Sequence, residues 1–305
     1  MPRELPETIG PYRVQELLGR AGQSAVYKAL DPRGRPVAVK VFPARLSEDP
    51  ATVERFHREM RAFVPLSRHP HLVHILETGQ EGDRLYLVME LVEGTSLDRV
   101  LKQGRLSLAR AFSVMRDICQ GLAHAHQHGL IHRGLTPRNV LVSPDFGTVK
   151  VGDFAATGYE SVTANLTATM GTGEIRLGAL YYLAPELVEG RDALDARADI
   201  YSAGVIFHEM LTGRPPGPKF AMPTQLNPEL SAEIDVVVLR CVARRPEERY
   251  ERVADLLAAL ERLEERLRLR VFTEIRDIQQ NRTGLYVGLT LLVLVLAALG
   301  YWFLR

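Results

Sequence analysis

Cysteine is nearly missing from the chain. Cys119 and Cys241 are the only two among 305 residues, and neither stands in a metal-ligand spacing. That argues against a disulfide scaffold and a structural zinc site, and makes a reducing compartment the expectation. An excess of either charge is missing as well: lysine plus arginine number 38 against 37 aspartate plus glutamate. With no global field to attract a polyanion, no nucleic-acid partner is expected. The opening MPRELPETIG has no apolar core and does not read as a signal peptide. Internal repeats and low-complexity tracts are absent, and no long apolar run occurs before residue 285. What is present, 46% apolar and 25% charged residues, suffices for a sizeable core. A body of about 260 residues fits one large or two-lobed unit.

The one long apolar run is LYVGLTLLVLVLAALGYWFL, residues 285–304, without a charge. At about 1.5 Å rise per residue it matches the roughly 30 Å hydrocarbon thickness of a bilayer. Tyr286 at one end and Tyr301 with Trp302 at the other stand where interfacial aromatics belong. A buried C-terminal helix of the body is the competing reading, but such helices seldom run this long with a single Thr as their polar residue. Arg266, Arg268, Arg270, Arg276 and Arg282 precede the run and only Arg305 follows it. The expectation is a C-terminally anchored, single-pass membrane protein with its body in the cytoplasm. Before the run, Leu256, Leu260, Leu263, Leu267, Val271, Ile275 and Ile278 recur in steps of three and four. They read either as a stripe that pairs two copies into a homodimer, helped by Gly284 and Gly288, or as a last helix continuing as a spacer.

In the body, Tyr12 to Phe42 alternates as strands with turns at DPRGRP, and Thr52 to Leu66 has helical spacing through Val53, Phe56, Met60 and Phe63. Strand runs HLVHILETG and RLYLVMELV follow, and after Ser96 helical patterns dominate, as in LARAFSVMRDICQGLAHAHQHG and DIYSAGVIFHEMLTG. Six separated motifs then occur in a fixed order: VAVK ending at Lys40, REM containing Glu59, HRGLTPRN from His132 to Asn139, YLAPE ending at Glu186, DIYSAGV with Asp199, and CVARRPEERY with Arg249. In these the chain resembles the bacterial eukaryotic-like, Hanks-type serine/threonine protein kinases over residues 10–262. The resemblance implies an α+β, two-lobed fold with a small β-rich N-lobe over 10–94 and a mainly helical C-lobe over 95–262. Residues 1–9 would form an N-terminal tail, 263–283 a juxtamembrane spacer and 284–305 the transmembrane helix.

DFG occurs literally at Asp145-Phe146-Gly147 and in altered form at Asp153-Phe154-Ala155. The family's metal-binding aspartate follows the loop asparagine after a complete two-strand hairpin, and Asp145 is only six residues past Asn139. Asp145 is therefore expected at a hairpin tip and Asp153 in the cleft. The resemblance implies that Lys40 with Glu59 holds nucleotide phosphates and that Asn139 and Asp153 hold magnesium, a hard cation. MELVEG, with Glu90 and Val92, resembles the hinge against adenine, while Gly19, Val26, Ala38 and Leu141 resemble the walls around it. His132, Phe154, Glu186, Asp199 and Arg249 are implied as structural. ATP and magnesium are the implied cofactors.

The chemistry has been edited. The family's catalytic aspartate is Gly134, and the lysine that neutralises the transferred phosphoryl is Thr136. A positioned general base is worth about 10²–10⁴-fold, and the lost charge adds to that. The glycine-rich loop reads Gly19-Arg20-Ala21-Gly22-Gln23-Ser24 and keeps only the first family glycine, which is expected to weaken nucleotide binding. Ala155 replaces the DFG glycine, and Ala179 replaces a threonine that would meet the missing pair. Between GRPP and ELSAEID stands only GPKFAMPTQLNP, read as lacking a helix, where active relatives carry a substrate-docking helix. Thr163, Thr167, Thr169 and Thr172 lie in a segment that is either a polar loop or a target for a kinase acting in trans. Two functions fit: a membrane-tethered pseudokinase docking a cytoplasmic protein partner or active kinase, and a low-rate serine/threonine kinase.

Overall fold

The strand-rich front of the chain folds as an antiparallel sheet, and the helical remainder packs around one buried helix. This is seen in a computed structural model that describes residues 5–21, 24–154, 180–189, 195–216 and 220–269. Strands β1 (Thr8–Ile9), β2 (Tyr12–Ala21), β3 (Ser24–Leu30), β4 (Pro36–Val41), β5 (Ile75–Glu81) and β6 (Arg84–Glu90) form a six-stranded sheet in the order β1-β2-β3-β4-β6-β5. Ile9 is buried with Tyr12, Tyr27, Val39 and Tyr86 in the core of this lobe. Residues 8–9 thus belong to the sheet and not to a tail, because β1 pairs with β2 and Ile9 brings apolar area to the shared face.

The helical spacing after the sheet's fourth strand yields α1 (Pro50–Leu66). It starts where Asp49 accepts from the backbone N–H groups of Ala51 and Thr52, with Pro50 in the first helical position. Phe56, Met60 and Phe63 form its buried stripe.

The second lobe holds a small sheet, β7 (Thr95–Ser96), β8 (Val140–Val142) and β9 (Val149–Val151), paired antiparallel. Among the described residues its helices include α2 (Leu97–Leu101), α3 (Leu108–Gln127), the single turn α4 (Pro185–Val188), α5 (Arg197–Thr212), the single turn α6 (Pro223–Leu226) and α7 (Ala232–Cys241). The turn α6 falls inside GPKFAMPTQLNP, where no helix was expected. It is tied to α7 by Thr224, whose N–H and hydroxyl both donate to Asp235.

Helix α5 is buried around most of its circumference, its polar Asp199, Ser202 and His208 included, so those side chains need partners inside the protein. Phe207 meets Phe112 of α3 edge to face, with ring centres 5.5 Å apart. Gly204 lets α7 approach closely: a Cβ built there would come within 2.3 Å of Cys241 Cβ.

The chain divides into two units, Met1–Ala259 and Leu260–Arg305. Of the second, residues 260–269 are described and are helical. Among the described residues no helix is long and apolar enough to cross a membrane. The run at 285–304, Gly284, Gly288 and the stripe residues Val271, Ile275 and Ile278 lie outside them.

Gly204→Ala is expected to cost about 1–3 kcal/mol, because a methyl group must be fitted where α5 and α7 already touch. Gly19→Ala, whose added Cβ would meet nothing within 4 Å, is expected to cost about 0.5 kcal/mol or less. Urea unfolding midpoints of the two variants measure the contrast.

Candidate functional site

Alternation along β3, β4 and β6 sorts their side chains onto two faces. Opposite the lobe's core, pairing places Val26 across from Lys40, Lys40 across from Leu87, and Ala38 across from Met89. Gly19 of β2 stands across from Val26. The expected wall residues and Lys40 therefore share one face of the sheet.

Lys40 is 1% exposed. A buried ammonium needs a counter-charge, and Lys40 Nζ lies 3.2 Å from Asp153 Oδ1. The other carboxylate oxygen of Asp153 accepts from Asn139 Nδ2 at 3.1 Å. Burial alone would raise the pKa of Asp153. The charge and hydrogen bond of Lys40, with His132 and Asn139 nearby, outweigh it and hold the group below its ordinary value. Lys40, Asp153 and Asn139, separated by up to 113 positions in sequence, are thus brought together.

Glu59 is not brought to them. It stands at the edge of the Phe56, Met60 and Phe63 stripe on α1, half exposed, with its carboxylate 3.9 Å from Arg55 Nε. Burial of the three apolar side chains sets the rotation of the helix, and in that rotation Glu59 faces water.

Glu90 uses its side chain to brace the connection between lobes. It accepts from Lys150 Nζ at 2.7 Å and from the backbone N–H of His74 at 2.8 Å. The carboxylate of Glu90 is thereby engaged inside the protein, and Val92 follows two residues after it. Leu141 lies on β8 between Ser96 and Lys150.

The loop holding Gly134 is set by Asp199. This carboxylate is fully buried on α5 and accepts from the backbone N–H groups of His132 and Arg133, each at 2.8 Å, with His126 Nε2 at 2.7 Å. To present two consecutive N–H groups to one carboxylate, Arg133 adopts a left-handed backbone, φ 64°. His132 Nε2 donates to the carbonyl of Gly152 at 2.9 Å, linking this loop to the one that carries Asp153. Phe154 packs on His132 and on Phe63 of α1, with ring centres 4.7 and 5.8 Å apart.

At the position of the family base, Gly134 brings no side chain. Thr136 caps the turn Pro137–Asn139: its N–H and hydroxyl both donate to Asn139 Oδ1, at 3.2 and 2.8 Å. This bond was not anticipated, although Thr, then Pro, then a polar amide three residues on is a capping signature. A divalent cation in this cleft would find the Asp153 carboxylate and the Asn139 amide within reach of each other, a fitting pair of hard oxygen donors, but with the amide oxygen already engaged. Among the described residues, no group of three or more His, Cys, Asp and Glu could hold a metal ion.

Asp145 sits at the tip of the β8–β9 hairpin, where it accepts from Ser143 Oγ and Gly147 N–H, and Phe146 has φ 62°. The literal DFG is a turn. Glu186 and Arg249 form a buried two-point ion pair at 2.6 and 2.8 Å. Gly22, Gln23, Ala155, Ala179 and the four threonines Thr163, Thr167, Thr169 and Thr172 lie outside the described residues.

Comparison with known proteins agrees with this geometry. The sequence matches the model of the protein kinase domain over residues 12–279. It is 37% identical over 275 residues to serine/threonine-protein kinase PknB of Mycolicibacterium smegmatis, covering 83% of this chain and 43% of that protein. To serine/threonine-protein kinase PknH of Mycobacterium bovis it is 38% identical over 275 residues, covering 84% and 44%. The chain spans less than half the length of these curated relatives. The crystal structure of the PknI kinase domain of Mycobacterium tuberculosis, as a double mutant, superposes with a TM-score of 0.69 at 24% identity, covering 85% of this chain and 99% of that one.

Asp199→Ala is expected to destabilise the protein by about 3–5 kcal/mol, because two buried N–H groups lose their shared acceptor. Chemical denaturation checks the size of the loss. A cost under about 1 kcal/mol, the range of an ordinary exposed hydrogen bond, would contradict the role given to Asp199.

Proposed function

This chain belongs to the protein kinase family, and from that premise we propose that it is a membrane-anchored pseudokinase. It binds nucleotide weakly or not at all and acts as a signalling scaffold or regulator for a cytoplasmic protein partner or an active kinase. The observation that carries the proposal is the loop from Gly134 to Thr136. A substrate hydroxyl there meets no carboxylate of the loop to orient it or take its proton, and no ammonium of the loop faces the moving phosphoryl group. Loss of a positioned base alone raises the barrier by about 3–5 kcal/mol. Loss of the lysine removes charge stabilisation, the larger part of phosphoryl transfer. The exposed position of Glu59 supports the same reading, since Lys40 is held by Asp153 and not by the helix that would tune it.

The structural parts of the fold are kept. The bonds of Asp199 and the Glu186–Arg249 pair support a surface preserved for recognition by other proteins. The apolar run at 285–304 would hold the body on the cytoplasmic side of a membrane.

A second reading is a low-rate serine/threonine kinase that transfers the γ-phosphate of ATP to protein. The convergence of Lys40, Asn139 and Asp153 favours it, because positioning retains part of the rate when a base is removed.

The full chain, incubated with γ-labelled ATP, magnesium or manganese and generic protein acceptors, is expected to incorporate no more label than Lys40→Met. Incorporation that disappears in Lys40→Met would establish the second reading. The double variant Gly134→Asp with Thr136→Lys is expected to raise incorporation by about 10²-fold or more over the parent. For the anchor, a chain ending at residue 283 is expected to leave the membrane pellet and appear in the soluble fraction. Equal pelleting of the shortened and full chains would refute the anchor.

A further inference from the structure

The amide of Asn139 can be oriented without ambiguity. A backbone N–H only donates, so the end of Asn139 facing the Thr136 N–H at 3.2 Å is its oxygen. The other end is then the amide nitrogen, and it donates to Asp153 Oδ2 at 3.1 Å. The Thr136 hydroxyl, 2.8 Å from the same amide oxygen, must also donate to it. A carbonyl oxygen has two lone pairs. Both are taken, one by the backbone of Thr136 and one by its side chain.

A cation ligand has to offer a lone pair. For Asn139 to do so, its amide must turn over or release Thr136, giving up the cap of the Pro137–Asn139 turn. Any residue at position 136 could supply the backbone bond. The hydroxyl bond exists because that residue is threonine.

We infer that Thr136 is a positioning residue that withdraws Asn139 from the metal site, so that the cleft does not take its nucleotide as a divalent-metal complex. The loop is then disabled twice over, through the absent base and through the occupied ligand, and restoring an aspartate at position 134 does not by itself restore the metal site. This rests on the part of the proposed function that allows weak nucleotide binding, and the test separates the two.

The measurement is the affinity of the full chain for a fluorescent ATP analogue, in excess magnesium and in EDTA. The parent and Thr136→Ser, which keeps a hydroxyl, are expected to bind equally in both conditions, within about twofold, the scatter usual for a neutral change. Thr136→Val keeps the shape and the backbone bond but frees one lone pair, and is expected to bind about fivefold or more tightly with magnesium than with EDTA, the worth of one hydrogen bond. A parent already tightened about tenfold or more by magnesium, or a Thr136→Val ratio equal to that of the parent, overturns the inference; a tenfold change corresponds to about 1.4 kcal/mol. If no chain binds the analogue, the nucleotide reading fails. The inference is then decided by manganese alone, counted by electron paramagnetic resonance. Tighter manganese binding by Thr136→Val than by the parent and Thr136→Ser supports it, and equal binding by all three overturns it.

Discussion

A single buried carboxylate organises this cleft. Asp199 is fully buried on a helix inside the large lobe, so its oxygens need hydrogen-bond donors there. The donors that meet it are the N–H groups of consecutive residues, His132 and Arg133. Two adjacent amides converge on one carboxylate only if the chain bends sharply, and the left-handed backbone at Arg133 is that bend. The positions of Gly134, Thr136 and Asn139 follow from it, and the His132 bond to Gly152 carries the constraint across to Asp153. The shape of the loop rests on these backbone bonds and does not require an aspartate at position 134 or a lysine at position 136.

The substitutions interlock. In the family arrangement the loop lysine would be a cation among anions. Threonine there carries no charge, is short, and finds a local acceptor three residues on. Asn139 in turn gives its N–H to Asp153, and Asp153 balances Lys40. Every polar group in this series is paired with a neighbour inside the protein, which lowers the cost of leaving the cleft without a ligand. An arrangement satisfied in this way is stable at rest.

Much of this could be read from residue order. The rotation of α1 follows from Phe56, Met60 and Phe63, and its start from Asp49 and Pro50. The choice of Asp153 over Asp145 needed only the length of a hairpin. The register that puts Val26, Ala38 and Lys40 on one face follows from alternation along paired strands. Other features were hidden because they depend on distance in space. That Lys40 meets Asp153 while Glu59 stays beside Arg55 is a matter of tertiary packing between segments far apart in the sequence. The strand at Thr8–Ile9 is too short to register as a pattern and is legible only through its partner, β2. The Thr136–Asn139 bond has a local signature, a threonine followed by proline and, three residues on, a polar amide, but its link to Asp153 depends on distance in space.

The hairpin that displaced the literal DFG to its tip has a practical consequence. Its two strands, Val140–Val142 and Val149–Val151, begin beside Asn139 and end beside Gly152, so the paired ribbon has the cleft at one end and an exposed tip at the other. Phe146, stacked against Arg110, braces the outer end. A dye or spin label attached near Asp145 would ride on that ribbon and report movements of Asn139 and Asp153 from outside the cleft, without occupying it.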